Sequence, residues 1–264
     1  MYAFDIHRPE SLGEAARLLS AKEEAKLMAG GQTLIPTLKQ RLAQPSDVID
    51  LGLVGDLKGI REEAGGLTIG AMTTHATVAF SPLVKRVIPS LADLAGQIGD
   101  AQVRNRGTLG GSIANNDPAA DYPGAVLALG ATVRTNKRQI AGDAFFTGMF
   151  ETALDAGEIV TAVHVPKPDS GRYMKFRNPA SRYAIVGVYV VKTGGAVRVA
   201  VTGAGPCAFR WTEAEQALSR SFAADALESL SLDPSDLNGD LHASAEYRAH
   251  LVKVMAKRAV AGML

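Results

Sequence analysis

Two short segments of the chain carry a glycine pair beside a small hydroxyl residue: AGGQT at residues 29–33 and TLGGS at residues 108–112. Glycine has no Cβ atom, so adjacent backbone N–H groups can turn inward together and a ligand can approach the main chain closely. Thr33 and Ser112 each add a hydroxyl donor. This combination is typical of sites that bind an anionic group without lysine or arginine.

The first segment runs into LIPTLKQ, a stretch that favours a helix. The helix N-terminus would add unpaired N–H groups and the positive end of the helix dipole. A single glycine pair is more often an ordinary turn, but two copies suit a diphosphate that is held from both sides. Neither copy has the lysine of the Walker pattern or the G-x-G-x-x-G spacing of a Rossmann site. Spacing alone therefore indicates a nucleotide-like ligand and does not identify it.

Apolar patterning places the glycine segments among short strands and helices. AKLMAG and SDVIDL predict two strands with the helix LIPTLKQRL between them, a βαβ-like unit. The preceding RPESLGEAARLLSA predicts a helix with Ser11 and Glu14 as its capping box. GLTIGAMTT predicts a further strand, and residues 84–87 and 90–98 predict helices. Residues 104–124, RNRGTLGGSIANNDPAADYPG, show little periodicity and predict one long loop.

A domain boundary is predicted at VPKPDSGR, residues 165–172, where prolines, a glycine and polar residues interrupt the pattern. Beyond it, YAIVGVYVVK and AVRVAVTGAG predict paired strands joined by a turn at Gly194 and Gly195. WTEAEQALS predicts a helix with Thr212 and Glu215 as its capping box. The final SAEYRAHLVKVMAKRAVAGML predicts a helix with one apolar stripe, formed by Leu251, Val254 and Met255.

Composition excludes several classes of protein. The chain has 264 residues, 47% of them hydrophobic, which suits two modest domains. Its net charge of +1 provides no overall field for nucleic acid or an anionic membrane. The single cysteine, Cys207, excludes an internal disulfide, an iron–sulfur cluster ligated within this chain and a cysteine-based zinc site. No apolar run reaches membrane-spanning length, and the start MYAFDIHRPE does not resemble a signal peptide, so we expect a cytoplasmic protein.

The histidines show no metal-ligand spacing, and none stands in a motif for nucleophilic or acid–base catalysis. We expect each to be a surface residue or a satisfied buried residue rather than a catalyst. The five are His7, His75, His164, His242 and His250. The sequence therefore predicts no catalytic side chain and no metal site in this chain.

Three segments in order, AGGQTLIPTLKQRLAQPSDVIDL, IGAMTTHATV and RNRGTLGGSIANNDPAADYP, resemble the flavin-binding medium subunit of the molybdenum hydroxylases. This is the xanthine dehydrogenase and carbon monoxide dehydrogenase family, and the likeness is greatest to its carbon monoxide dehydrogenase branch. It extends to the C-terminal SAEYRAHLVKVMAKRA. The resemblance implies an α+β fold. A two-subdomain FAD-binding domain of the PCMH/VAO type, not Rossmann, would span residues 1–166, divided near residue 54. A small α+β domain with an antiparallel sheet and helices would span residues 167–264.

The resemblance also implies that noncovalent FAD lies between the subdomains, with its diphosphate at both glycine segments. Distantly related flavin oxidases often place a histidine in the first glycine loop, through which FAD is bound covalently. This chain has Gln32 there, and an amide is not nucleophilic enough for that bond. The residues implied to line the cofactor in the first two motifs and the second glycine segment are Ala29, Gly30, Gly31, Gln32, Thr33, Ile69, Ala71, Thr73, Thr108, Leu109, Gly110, Gly111 and Ser112.

Three further residues are implied near the flavin, each with a simpler alternative. Asp121 would accept hydrogen bonds from ribityl hydroxyls, or would cap the helix that starts at YPGAVLAL. Tyr183 would lie near the isoalloxazine ring, or be an ordinary strand aromatic. Lys175 would lie near the flavin, or be a surface lysine. Relatives more often have an acidic residue where this chain has Ser181 and Arg182, which leaves the charge around the ring open.

The function implied by the resemblance is electron transfer within a complex. A large partner with a molybdenum cofactor would oxidise the substrate, and a small partner with [2Fe-2S] clusters would relay electrons. FAD on this chain would pass them to an external acceptor, in an (αβγ)₂ heterohexamer. A non-catalytic assembly or regulatory module without FAD is the alternative. A self-contained flavin oxidase is disfavoured, because no substrate domain with acid–base residues is evident. The substrate and the acceptor stay open.

Overall fold

The N-terminal part of the protein is a small parallel sheet with two helices. The computed structural model describes residues 1–263. Strands β2 and β3 are parallel neighbours, and the sheet order is β1-β3-β2, so the predicted βαβ unit is confirmed. Ser11 Oγ caps α1 by accepting from the backbone N–H of Glu14 at 3.2 Å. The elements are β1 (Asp5–His7), α1 (Leu12–Ala21), β2 (Lys26–Met28), α2 (Leu34–Lys39) and β3 (Asp47–Asp50).

The middle part is an antiparallel sheet of order β4-β5-β10-β6-β7, with a run of helices inserted between β5 and β6. A separate hairpin is formed by β8 and β9. The elements are β4 (Ile60–Glu63), β5 (Gly66–Gly70), α3 (His75–Phe80), α4 (Pro82–Val87), α5 (Pro89–Gly96), α6 (Ala101–Arg106), α7 (Leu109–Asn115), α8 (Asp121–Ala128), β6 (Thr132–Thr135), β7 (Gln139–Ala141), β8 (Phe146–Gly148), β9 (Glu151–Thr152) and β10 (Val160–Pro166).

The long loop predicted for residues 104–124 was wrong, because this stretch contains the end of α6, all of α7 and the start of α8. Side chains begin the first two of these helices. Asp100 Oδ1 accepts from the N–H of Val103 at 2.8 Å, and Thr108 Oγ1 accepts from that of Gly111 at 3.1 Å. The three helices have six, seven and eight residues. Helices this short give little periodic signal in a sequence.

The C-terminal part is a four-stranded antiparallel sheet of order β11-β12-β13-β14, with two helices on one face. The predicted pairing of β12 with β13 is confirmed. On the final helix Leu251 and Met255 are buried, as predicted, and Val254 is half-buried. The elements are β11 (Ser170–Arg177), β12 (Ala184–Thr193), β13 (Ala196–Thr202), β14 (Phe209–Arg210), α9 (Thr212–Arg220) and α10 (Ala245–Ala261).

The capping box predicted for α9 was wrong. Trp211 precedes the helix, and no side chain caps its N-terminus. The carboxylate of Glu215 is instead turned to the sheet, where it accepts from the N–H of Val199 at 3.0 Å and pairs with Arg210 at 2.5 Å. A buried carboxylate with an available guanidinium and strand amide is better satisfied there than at an exposed helix end.

The other face of the C-terminal sheet packs on the middle part of the chain. Tyr173 of β11 and Tyr189 of β12 join the same apolar core as Leu91 of α5 and Tyr122 of α8. The hydroxyls of Tyr189 and Ser90 are hydrogen-bonded at 2.6 Å. Strand β12 is therefore covered on both faces, and the loop between β11 and β12 forms one wall of the cleft described below. None of the described helices is long and apolar enough to cross a membrane.

Candidate functional site

A cleft of about 850 Å³ lies where the three parts of the chain meet. Its walls come from the segment between β2 and α2, the helices α6 to α8, and the loop between β11 and β12. Most residues that the resemblance implied are brought together here. Those lining the cleft are Ala29, Gly30, Gly31, Gln32, Thr33, Ala71, Thr108, Gly110, Gly111, Ser112, Asp121, Lys175 and Tyr183.

Three of the implied residues do not line this cleft. Ile69 and Leu109 are fully or almost fully buried in the core of the middle part. Thr73 is also buried, and its hydroxyl donates to the carbonyl of Gly59 and accepts from the N–H of Gly59, both at 3.0 Å. The structure gives these three residues packing and hydrogen-bonding roles within the protein.

The two glycine segments differ in what they offer a ligand. Within residues 1–263, the backbone N–H groups of Gly30, Gly31, Gln32 and Thr33 have no acceptor in the protein. In the second segment the N–H groups are already used. That of Leu109 donates to Thr73 O at 3.0 Å and that of Gly110 to Ala71 O at 2.8 Å. The first segment therefore supplies amide donors, and the second supplies a close surface and the hydroxyl of Ser112.

Close packing against neighbouring backbone explains why glycine is needed in both segments. A methyl group at Gly30 would overlap the backbone carbonyl oxygen of Arg106, and one at Gly110 would lie 2.5 Å from the Cβ of Ala71. Gly31 has φ +73°, in the left-handed region that favours glycine. The close approach that these glycines permit is thus, first of all, an approach of protein backbone to protein backbone. The two segments themselves meet at Gly111, where a methyl group would lie 3.2 Å from the Cβ of Ala29, and both line the cleft.

A buried cluster joins α8 to β11 at the other end of the cleft. The carboxylate of Asp121 accepts from the hydroxyl of Tyr173 and pairs with Lys175 Nζ at 2.8 Å. Asp121 is the first residue of α8, and Ala120 is the N-cap, so the alternative of Asp121 as a helix cap was wrong. The Lys175 side chain has no exposed area, so the surface alternative was wrong too. Burial raises the pKa of Asp121, and the charge of Lys175 opposes that rise.

The loop between β11 and β12 presents Tyr183 to the cleft. Asn178 organises this loop: its Oδ1 accepts from the N–H groups of Ala180 and Ser181 at 2.9 and 3.2 Å. Arg182 has φ +63°, and the next residue, Tyr183, lies half exposed just before β12. Partial burial raises the pKa of Tyr183, and the carboxylates of the cleft add to that rise. The residue is therefore a loop aromatic and not part of a strand.

Two residues of the cleft were missed by the sequence analysis. His75 is buried, yet its Nδ1 has no hydrogen-bond partner, so the expectation of a satisfied or exposed histidine was wrong for it. Asp117 Oδ1 accepts from the N–H of Ala119 at 2.9 Å, and burial raises the pKa of its carboxyl. His75 directly follows IGAMTT, and Asp117 is the first residue of DPAADYP. Their positions beside and within these motifs were the available signal.

The cleft's chemistry fits a dinucleotide. Amide donors and a hydroxyl line one end, while the carboxylates of Asp117 and Asp121 lie at the other, near Tyr183. Anionic phosphates suit the first set, and sugar-like hydroxyls suit acceptors. No group of histidine, cysteine, aspartate and glutamate that could hold a metal is found among the described residues.

Two family models match the chain end to end. Residues 2–168 match the FAD binding domain in molybdopterin dehydrogenase, and residues 171–263 match the CO dehydrogenase flavoprotein C-terminal domain. The chain belongs to the molybdopterin dehydrogenase flavoprotein family. The expected fold is therefore confirmed: an FAD-binding domain of this type followed by a small α+β domain.

Individual relatives align with almost the whole length of the chain. The chain is 38% identical to the nicotine 6-hydroxylase medium subunit of Paenarthrobacter nicotinovorans, covering 96% of this chain and 94% of that protein. It is 37% identical to the carbon monoxide dehydrogenase medium chain of Hydrogenophaga pseudoflava, covering 97% and 96%. Its fold matches a chain of quinoline 2-oxidoreductase from Pseudomonas putida 86 with a TM-score of 0.90, 32% identity and coverage of 99% and 97%. The chain is an oxidoreductase subunit of this family.

Proposed function

We propose that this flavoprotein holds FAD noncovalently in the cleft and transfers electrons within a cytoplasmic molybdenum hydroxylase complex. A small partner with [2Fe-2S] clusters would supply the electrons, and an external acceptor would receive them. The observation that carries the proposal is the run of unpaired backbone amides at residues 30–33, set in a cleft between the FAD-binding domain and the C-terminal domain. Such a site recognises a diphosphate by backbone geometry.

Each wall of the cleft would have its own task. The amides of residues 30–33 and the hydroxyl of Ser112 would hold the diphosphate. Asp117 and Asp121 would accept from ribityl hydroxyls; each Asp121 oxygen holds one donor already and has a lone pair left. Tyr183 would lie alongside the isoalloxazine ring. Bound FAD supplies the redox chemistry, while this chain binds and orients it.

The division of labour among subunits rests on the relatives. Several are named as medium chains or medium subunits of dehydrogenases and hydroxylases, which implies larger and smaller companions. The single cysteine of this chain could not ligate the iron–sulfur clusters, so a partner would carry them. A large partner with the molybdenum cofactor would choose the substrate. We propose an (αβγ)₂ assembly for the complete enzyme.

An absorption spectrum tests the proposal directly. The purified chain would be mixed with FAD and freed of unbound flavin by gel filtration, alone and with its two partner subunits. Retained bands near roughly 370 and 450 nm, which mark oxidised flavin, are the expected result. Substrate added to the complex should then bleach them. A protein that retains no flavin, even with its partners, would favour the assembly or regulatory alternative. Full substrate turnover by the isolated chain would instead favour a self-contained oxidase.

A further inference from the structure

His75 lines the cleft and lies against Gly107, the residue that precedes the second glycine segment. It is the first residue of α3, and only 5% of it is exposed. A methyl group at Gly107 would be 2.5 Å from His75 Nε2, so this edge of the imidazole is in contact with Gly107. Gly107 is in turn packed on Gly30, where a methyl group would come within 2.8 Å of the Gly107 Cα. The imidazole is therefore one residue away from the amides of residues 30–33.

The imidazole has no hydrogen-bonding partner in the described chain. Nδ1 is sealed from solvent and unpaired, and no side-chain hydrogen bond among residues 1–263 involves Nε2 of this residue. Burying a polar group without a partner is costly, so a bound ligand that supplies one would be favoured. The ring is also close to Tyr122, at 5.3 Å between centroids, whose hydroxyl is likewise buried and unpaired.

The ring is neutral at physiological pH. Burial and, to a smaller extent, the nearby charge of Arg104 lower the pKa of His75 to about 4. A neutral imidazole carries one N–H, on Nδ1 or on Nε2. A proton on Nδ1 would point into a place with no acceptor. A proton on Nε2 would be directed to the edge that meets Gly107 and the cleft, and an anion there would favour this tautomer.

We propose that His75 donates a hydrogen bond from Nε2–H, as a neutral ring, to the diphosphate of the cofactor. It would complete the set of donors that the amides of residues 30–33 begin. This proposal rests on the proposed function, and it makes His75 a cofactor-binding residue of a protein whose histidines show no motif. The competing explanation is that His75 is only a spacer between α3 and Tyr122.

Two variants of equal side-chain length separate these explanations. His75→Gln keeps an amide N–H donor at about the same reach, whereas His75→Met fills similar space without one. Affinities for FAD, ADP and riboflavin would be measured by titration calorimetry on the full chain. We expect His75→Met to bind FAD and ADP roughly 10- to 100-fold more weakly, the usual size of one hydrogen bond to a charged group. His75→Gln should stay within a few-fold of the wild type, and riboflavin affinity should not change in either variant.

The other outcomes would contradict either the donor role of His75 or the binding of FAD by this chain. Equal losses in both variants, or a loss for riboflavin as large as that for ADP, would show that His75 is only a spacer. No change in His75→Met would show the same. Wild-type protein that binds neither FAD nor ADP, even with its partners, would overturn the proposed function and this inference together. If His75→Met does not fold, ¹⁵N NMR of the wild type decides: ADP should shift the His75 Nε2–H resonance while the ring stays neutral, and an unmoved resonance would refute the proposal.

Discussion

Asp121 and Lys175 form an ion pair between the start of α8 and strand β11, with 2.8 Å between Oδ2 and Nζ and almost no exposed side-chain area on either residue. The pair joins the FAD-binding domain to the C-terminal domain at the edge of the cleft. Removing one partner of such a pair leaves a buried charge without compensation.

Loss of one charge should therefore destabilise the fold more than loss of both. We expect Asp121→Asn to lower the free energy of unfolding by about 3–5 kcal/mol. Lys175→Met should lower the free energy of unfolding less at acidic pH than at pH 7. At acidic pH Asp121 is protonated, so the variant leaves no unpaired buried charge. The double variant should lose less free energy of unfolding than the sum of the losses in the two single variants. Urea denaturation measures all three, with the exposed Lys39→Met as a control. Additive costs would mean that the two side chains do not interact.

The glycine segments make a second prediction. Gly30→Ala should disrupt the cleft, because the added methyl group meets rigid backbone at Arg106. Gly31→Ala should lower the free energy of unfolding by about 1–2 kcal/mol, because alanine is strained in the left-handed conformation. The added methyl group would also displace the Ile35 side chain, whose Cδ1 would be 2.6 Å away. Gly13→Ala is a matched control, since a methyl group there meets nothing within 4 Å. Gly30→Ala and Gly31→Ala should lower both the melting temperature and flavin retention. The control should lower neither, because alanine is the better helix former at this position of α1.

Acid should weaken the middle part of the chain through Glu158. The guanidinium of Arg138 holds the pKa of this carboxyl at about 2, below its ordinary value of 4.5, against the opposing effect of burial. A lowered pKa in the folded state means stability that is present above pH 4.5 and is lost as pH falls towards 2. Glu158→Gln should be less stable than the wild type at pH 7, and the difference should disappear by about pH 2. The exposed Glu24→Gln should keep the wild-type pH profile. A constant difference at every pH would contradict this account.

Flavin should be released by acid. Gln32 lines the cleft in the first glycine segment, where distantly related flavin oxidases often have a histidine. The side-chain amide of glutamine is not nucleophilic enough to form a covalent bond to flavin. Precipitation of the holoprotein with trichloroacetic acid should leave all yellow colour in the supernatant. Flavin fluorescence that stays with the washed pellet would show a covalent link.

The elements that could be predicted from the sequence are those whose pattern is local. Strands β12 and β13 have long apolar runs joined by a glycine turn. Strand β2, helix α2 and strand β3 follow one another with the short connections usual for a strand–helix–strand unit. Helices α6 and α7 escaped prediction because each is too short to give a periodic apolar pattern. Glu215 was misassigned because a buried strand amide and Arg210 compete for its carboxylate, and neither is adjacent in sequence.

The site shows the same limit. The two glycine segments were found from composition and spacing, and the structure places both on one cleft. Their difference in free amides could not be predicted, because it depends on carbonyl groups of Ala71 and Thr73 that come from another element. The roles of His75 and Asp117 likewise depend on burial, which a single sequence does not give.

The double coverage of β12 has a thermodynamic consequence. Since Tyr173 and Tyr189 complete the core of the middle part, neither domain buries its apolar surface alone, and the chain should melt in one cooperative transition. A ligand that contacts all three walls of the cleft stabilises the whole folded chain. Helix α10, on the far face of the sheet, is then stabilised as much as the glycine segments that the ligand contacts. Conversely, damage to α10 should lower the melting temperature of the whole chain, the cleft included.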